Sequence, residues 1–195
     1  MTADPDQAAA PPAYSYKPSV LGAAWSFRLE PDALAWEAGF RHGRIPYGDI
    51  RRVRLSFRPA NMQRYRFLAE VWSEAGPKIA IASTSWRSMV EQQRQDAAYS
   101  AFVTELHRRL VAARVVAVFD AGSPALLYWP GVAIFTAVSV ALAGLTAVAL
   151  QRAAWEGAAM IAGLLALFLW QVGSFFKRNR PGRYRPEDVP RALLP

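Results

Sequence analysis

The sequence predicts an α+β protein: a small antiparallel β-barrel or sheet closed by a C-terminal amphipathic helix, followed by a two-helix transmembrane hairpin. Three patterns point there. Apolar residues alternate with polar ones through much of residues 25–82, the period of half-buried strands. The period then lengthens to that of a helix, and beyond it lie two long segments almost free of charge.

The chain has 195 residues and a net charge of +8, unevenly spread. Residues 1–124 hold 16 Lys or Arg against 12 Asp or Glu, residues 125–176 hold one of each sign, and residues 177–195 hold 6 against 2. Basic regions therefore flank a neutral block. With no cysteine, the chain has no disulfide framework, thiolate chemistry or zinc-thiolate site. Residues 1–22 contain two aspartates and five prolines or glycines, lack the apolar core of an export signal, and read as a flexible tail.

The strands follow in order. "WSFRLE" and "ALAWEA" alternate on either side of a Pro-Asp turn, and "FRHGRIPY" adds a further extended piece. In "RRVRLSFR" the inward set is Val53, Leu55 and Phe57, leaving Arg52, Arg54 and Arg58 outside; in "RYRFLAEVW" it is Tyr65, Phe67, Ala69 and Val71, leaving Arg64, Arg66 and Glu70 outside. "AGPK" turns the chain into "IAIAS". Roughly six short strands with hairpin-length connections form an antiparallel sheet or small barrel. "SMVE" at 88–91 matches a capping box, and Tyr99, Phe102, Val103, Leu106 and Leu110 line one face of a helix expected over about 89–113.

The combination of "LEPDALAWEA", "IPYGDIRRVRL" and the closing "YSAFVTELHRRL" resembles the pleckstrin-homology-like (PH-like) domains of bacterial membrane proteins, across residues 23–114. The resemblance implies a bent barrel plugged at one end by the helix, and a role in binding rather than catalysis. No lysine-rich first hairpin of the kind that grips phosphoinositides is present.

After a linker at 115–124, residues 125–150 carry no charge, and the 20 residues from Gly131 to Leu150 extend about 30 Å as a helix, the thickness of a hydrocarbon core. Residues 158–176 form a second span of similar reach, and the loop at 151–157 only reverses direction. Lys177, Arg178, Arg180, Arg183 and Arg185 follow the second span and open a basic tail, 177–195; with Arg108, Arg109 and Arg114 ahead of the first, they put both termini in the cytoplasm and the loop outside an inner membrane. Ser139, Ala143 and Thr146 on one span and Ala159 and Gly163 on the other make small-residue stripes expected to pack helix on helix, within the hairpin or against a second subunit. Neither span holds an ionisable residue at depth, which argues against an ion path.

No enzyme constellation emerges. His42 and His107 lack a nearby metal partner and read as surface or rim residues, Asp49 and Glu37 have no spacing that singles them out, and Ser83, Thr84 and Ser85 read as a strand exit; no cofactor or metal is expected. The candidate surface is the arginine stripe Arg52, Arg54, Arg58, Arg64 and Arg66, where like charges across paired strands call for an anionic partner or acidic neighbours. The expected partners are membrane lipid through the two spans, anionic headgroups at the arginine face, and a protein partner or a second copy; nucleic acid is not expected, since the soluble part is only +4 and shows no recognition motif.

Overall fold

A computed structural model describes residues 12–61, 64–88 and 91–195. Ala13–Tyr16 (β1), Trp25–Leu29 (β2), Ala33–Ala38 (β3) and Arg41–Pro46 (β4) form a four-stranded antiparallel sheet in sequence order. A single 3-10 turn, Tyr47–Asp49, leads into the second sheet: Ile50–Asn61 (β5), Arg64–Ser73 (β6) and Ile79–Ala82 (β7). Thr84–Trp86 (β8) and Gln92–Arg94 (β9) make a small hairpin before the helix Asp96–Ala112 (α1). Val118–Ala121 (β10), the helices Ala125–Gln151 (α2) and Trp155–Arg178 (α3), and Gly182–Arg183 (β11) complete the chain.

The α+β class, the antiparallel sheets and the apolar hairpin thus match expectation. Among the described residues no sheet closes into a barrel: the second sheet runs β11-β10-β5-β6-β7 and shares no ladder with the first. Where a ladder would join β7 to β1, two side chains serve instead, as the Tyr14 and Tyr16 hydroxyls donate to the carbonyls of Ala82 (2.6 Å) and Ala80 (2.5 Å). This half-meets the need of an exposed strand edge for partners.

One core lies between the sheets and α1. Phe27, Leu29 and Leu34 from the first sheet meet Val53, Leu55, Ala69, Val71, Ile79 and Ile81 from the second, and Tyr99, Phe102, Val103, Leu106 and Leu110 close the end. The inward sets read from β5, β6 and α1 are buried as expected, with Tyr65 outside the described side chains.

Several boundaries move. Residues 1–11 of the expected tail lie outside the described residues, but "AYSY" is strand β1, with Tyr14 and Tyr16 inward and Ala13 and Ser15 outward. The alternation was present, only short and preceded by prolines. Helix α1 begins at Asp96, not near 89, because Gln92–Arg94 are paired with Thr84–Trp86 as β9 and β8; Met89 and Val90, inside the capping-box match, lie outside the described residues. The expected linker contains β10, parallel to β5 with Phe119 beside Val53 and Ala121 beside Leu55. The basic tail folds back: β11 pairs with β10, and Leu193 in the turn Arg191–Leu193 is buried in the core.

Helices α2 and α3, 27 and 24 residues, reach about 40 and 36 Å. Both are long and apolar enough to cross a membrane, and their most apolar stretches are unburied. Their contact differs from the small-residue stripe. Ser139 and Thr146 are half-buried on the α2 face toward α3, their hydroxyls donating back to Phe135 and Leu142 carbonyls, but Ala143, Ala159 and Gly163 are exposed. Aromatic rings fill the seam instead: Phe135 stands 5.2 Å from Phe168 and 5.4 Å from Phe176. Glycines admit them, since a Cβ on Gly131 would stand 3.2 Å from the Phe176 ring.

Candidate functional site: the hairpin junction and the arginine face

Two features stand out, and both are built on β5. The first is the junction with the hairpin. Where β10 ends, Gly122 N–H donates to the Leu55 carbonyl (2.8 Å) and the chain turns into α2. One rung further, a side chain meets the Phe57 N–H and C=O. The carboxamide of Asn179, just past α3, takes the place of a peptide: its Oδ1 accepts from Phe57 N–H (2.9 Å) and its Nδ2 donates to Phe57 C=O (2.6 Å). Asn179 is fully buried, and its own carbonyl accepts from Ser123 N–H (3.0 Å). Both ends of the hairpin are therefore tied to one strand at one level. Arg178 lies over the Phe57 ring, 5.1 Å from its centre.

The tail locks the same region. Tyr184 N–H donates to the Phe119 carbonyl, and its hydroxyl lies 2.8 Å from His107 Nε2. His107 Nδ1 is 2.7 Å from the Val103 carbonyl. A carbonyl can only accept, so Nδ1 carries the proton and Nε2 accepts from Tyr184. His107 is 1 % exposed, which corrects its reading as a surface or rim residue. His42 is exposed, as expected.

Burial pushes the His107 pKa below its ordinary 6.5, outweighing the Val103 carbonyl, which favours the charged ring. The unfolded chain therefore takes up a proton as pH falls through 6.5, while the folded chain does so only lower. Stability is full above 6.5 and declines below it. Unfolding of the detergent-solubilised chain should show this decline as the pH is lowered below 6.5, and His107→Gln should flatten it; an unchanged slope in the variant would assign the decline elsewhere. Glu105 adds a separate loss at lower pH, its carboxyl held down to about 2 by hydrogen bonds from Arg108 and Arg109.

The second feature is the outward face of β5 and β6. The structure brings Arg52, Arg54 and Arg58 into one row, with Trp72, Glu70 and Arg66 directly across from them. The acidic neighbours that such a row requires are present. Asp120 of β10 lies 3.2 Å from Arg54 and 3.4 Å from Arg52, and Glu70 pairs with Lys78 and reaches Arg58 at 4.0 Å. Arg58 and Arg66 are the like-charged pair that remains, and the Arg66 Nε is buried with no hydrogen-bond partner. The Arg64 side chain lies outside those described.

Sequence alternation places these arginines but not what organises them. Trp72 sits under Lys78 (4.9 Å), Arg54 (5.4 Å) and Arg52 (6.0 Å). The carboxylates are beneath and the cations above: the Glu70 side chain is 5 % exposed, those of Arg58 and Lys78 59 % and 48 %. Arg54, mostly covered, is a structural strut. Of the tail cations, Lys177 and Arg178 end α3, while Arg180, Arg183 and Arg185 belong to the segment folded against β10.

The outer face of the first sheet has a shallow depression of about 530 Å³ around Ala35, lined by Arg28, Glu37, His42 and Arg44. Arg44 is engaged by Glu30 and Asp32 at its edge. Among the described residues no group of three or more His, Cys, Asp or Glu is placed to hold a metal ion.

Fold and junction together define the class: an α+β domain of antiparallel sheets carrying an apolar helical hairpin on one edge. No family model, curated protein or solved structure matches the chain.

Proposed function

We propose that this protein is a membrane-anchored, non-catalytic binding module. Its hairpin spans the inner membrane with both termini in the cytoplasm, and a PH-like domain is held at the membrane surface to engage a protein partner, with the cations around Trp72 contacting acidic groups on that partner or on lipid. The observation that carries this reading is the Asn179–Phe57 junction, which ties both hairpin ends to the strand that bears the cationic row. The four-stranded sheet followed by a second antiparallel sheet, with a helix across one end, supports the PH-like assignment. Lys177 and Arg178 at the domain end of the hairpin, against Arg152 beside Glu156 in its loop, support the orientation, and the aromatic cluster of Tyr128, Trp129 and Phe176 suits an interface at the domain end.

A photo-crosslinking residue at Ala80, across the ladder from Glu70 on this face, tests the surface in native membranes. It should capture a discrete protein or phospholipid adduct. Each basic group near an anionic surface contributes on the order of 1 kcal/mol, so Arg52→Gln, Arg58→Gln and Lys78→Gln together should cut the adduct at least roughly ten-fold. Equal yields from both proteins would remove this face, and a reporter after Pro195 that is active in the periplasm would overturn the orientation.

A second reading, an accessory subunit of a membrane enzyme or transporter working through the hairpin, is favoured by one observation. Ala143, Ala159 and Gly163 are exposed on the hairpin, and nothing lies within 4 Å of a Cβ on Gly163, a surface that admits another helix closely. Capture from a crosslinker at Gly163 with none from Ala80 would select it.

A further inference from the structure

Two of the most exposed apolar side chains outside the hairpin are Leu21, 95 % exposed between β1 and β2, and Phe40, 104 % exposed at the β3–β4 turn. Single exposed apolar residues are ordinary, but these belong to adjoining loops. Gly39, at a φ of +63°, lies so close to Ala23 that a Cβ there would stand 3.1 Å from the alanine methyl.

A path of strand pairing and hydrogen bonds relates this rim to the hairpin. The Asn179 carboxamide meets Phe57, Phe57 is across from Phe67, and Phe67 exchanges bonds with Ser83, whose N–H donates to the Phe67 carbonyl and whose Oγ accepts from Phe67 N–H. From Ser83 the chain runs on as β8 to Trp86, whose N–H donates to the carbonyl of Lys17, the first residue of the Leu21 loop. The loop rim is thus reached, by way of Ser83 and β8, from the level of β5 at which the hairpin is tied. The opposite end holds the β2–β3 turn and the α1 C-terminus, joined by Arg109 Nη1 donating to the Glu30 carbonyl (2.6 Å).

Charge separates the two ends in the same sense. At the far end most cations are matched: Arg44 by Glu30 and Asp32, Arg51 by Glu74, and Arg108 and Arg109 by Glu105, with Arg114 just past α1 the exception among the described residues. At the rim Lys17, Arg41 and Arg87 have no carboxylate within 4.0 Å among the described residues, although Glu37 and Glu91 are close in sequence. Fully exposed apolar tips flanked by unpaired cations complement an anionic leaflet, in which the apolar part enters the acyl boundary and the cations meet phosphates.

We infer that the rim bearing Leu21 and Phe40 is a second membrane contact, inserting into the leaflet from which the hairpin emerges and so fixing the tilt of the domain. The inference rests on the hairpin being membrane-spanning. It sets the partner of the rim as the phospholipid surface and leaves the Trp72 face turned to the side.

The cysteine-free chain allows the test. An environment-sensitive fluorophore is attached in separate full-length variants at Phe40→Cys, Leu21→Cys, Asp32→Cys and Leu145→Cys, each in nanodiscs of phosphatidylcholine with phosphatidylglycerol, with and without doxyl-labelled lipid. The Phe40→Cys and Leu21→Cys labels should be quenched about two-fold or more, as expected for groups 5–10 Å into the interface, and the Asp32→Cys label should not. If both rim labels behave like Asp32→Cys while Leu145→Cys is quenched, the rim contact is wrong and the membrane anchor stands. If Leu145→Cys is unquenched, the anchor reading falls and this inference with it.

Discussion

Replacing Asn179 with leucine is expected to cost about 2–5 kcal/mol, because the buried Phe57 N–H and C=O each lose their partner and an unmade buried hydrogen bond costs about 1–3 kcal/mol. The side chain volume is nearly preserved, so the loss reports hydrogen bonding and not a cavity. Against a total stability of roughly 5–15 kcal/mol this is a large fraction. At about 2–4 °C per kcal/mol for a chain of this size, the midpoint of thermal unfolding in detergent micelles should fall by roughly 5–15 °C. Asn179→Asp should also be poor, since it keeps an acceptor, removes the donor to the Phe57 carbonyl and buries a charge. Lys177→Gln, one turn-position away and exposed, is the control and should change little. A leucine variant within about 1 kcal/mol of the parent would show that the Phe57 groups find water instead, and the rigid tie between hairpin and domain would be lost as an explanation. If the tie is real, the same variant should expose residues 180–195 to proteolysis, because the bonds of β11 and Tyr184 lie directly beyond it.

The fold was legible where one physical signal dominates. The two spans are read from charge-free length, and the structure places their helices within a few residues of the expected limits. Strands β2 to β7 are read from alternation, because one face of each packs on a common core. The unread parts are those in which polar residues do structural work. Residues 179–195 look like a solvated stop-transfer tail, with four prolines and a run of cations, and no periodicity announces that Asn179 and Leu193 will be buried and Tyr184 half-buried against the core. Asn179 leaves only a faint trace: it is the one uncharged polar residue in the basic run after α3, at the position where a helix end needs a terminator.

His107 was more accessible to inference. It lies four residues after Val103 and three before Leu110, on the same apolar stripe, so helical geometry alone turns it inward. Treating it as a rim residue gave histidine's usual preference more weight than its position. The arginine face shows the converse. Alternation correctly turned Arg52, Arg54 and Arg58 outward, but Asp120 arrives from a strand over sixty residues away and Lys78 from the neighbouring hairpin. Compensation of that kind depends on tertiary pairing, which a single strand's pattern does not contain.

Gly122→Ala should be among the most damaging single-atom-group changes in the chain. Gly122 is buried with φ at +74°, and a Cβ there would stand 2.4 Å from the Asn179 carbonyl oxygen and 2.5 Å from that of Arg180. Both are backbone atoms, and the first accepts the Ser123 N–H that positions α2. The left-handed conformation alone costs an L-residue about 1–2 kcal/mol. Relieving the clash then requires parting the α2 start from the α3 end, which gives up the Ser123 bond and strains the Asn179–Phe57 pair, for a further loss of about 2–4 kcal/mol. Gly144→Ala is the informative contrast. No atom lies within 4 Å of a Cβ at that position, and alanine is the better helix former by about 1 kcal/mol, so that variant should be as stable as the parent or more so. Unfolding midpoints measured side by side in one detergent decide it. Equal behaviour of the two alanine variants would mean that the hairpin base accommodates a methyl group freely, which a junction closed by two backbone carbonyls at that distance does not permit.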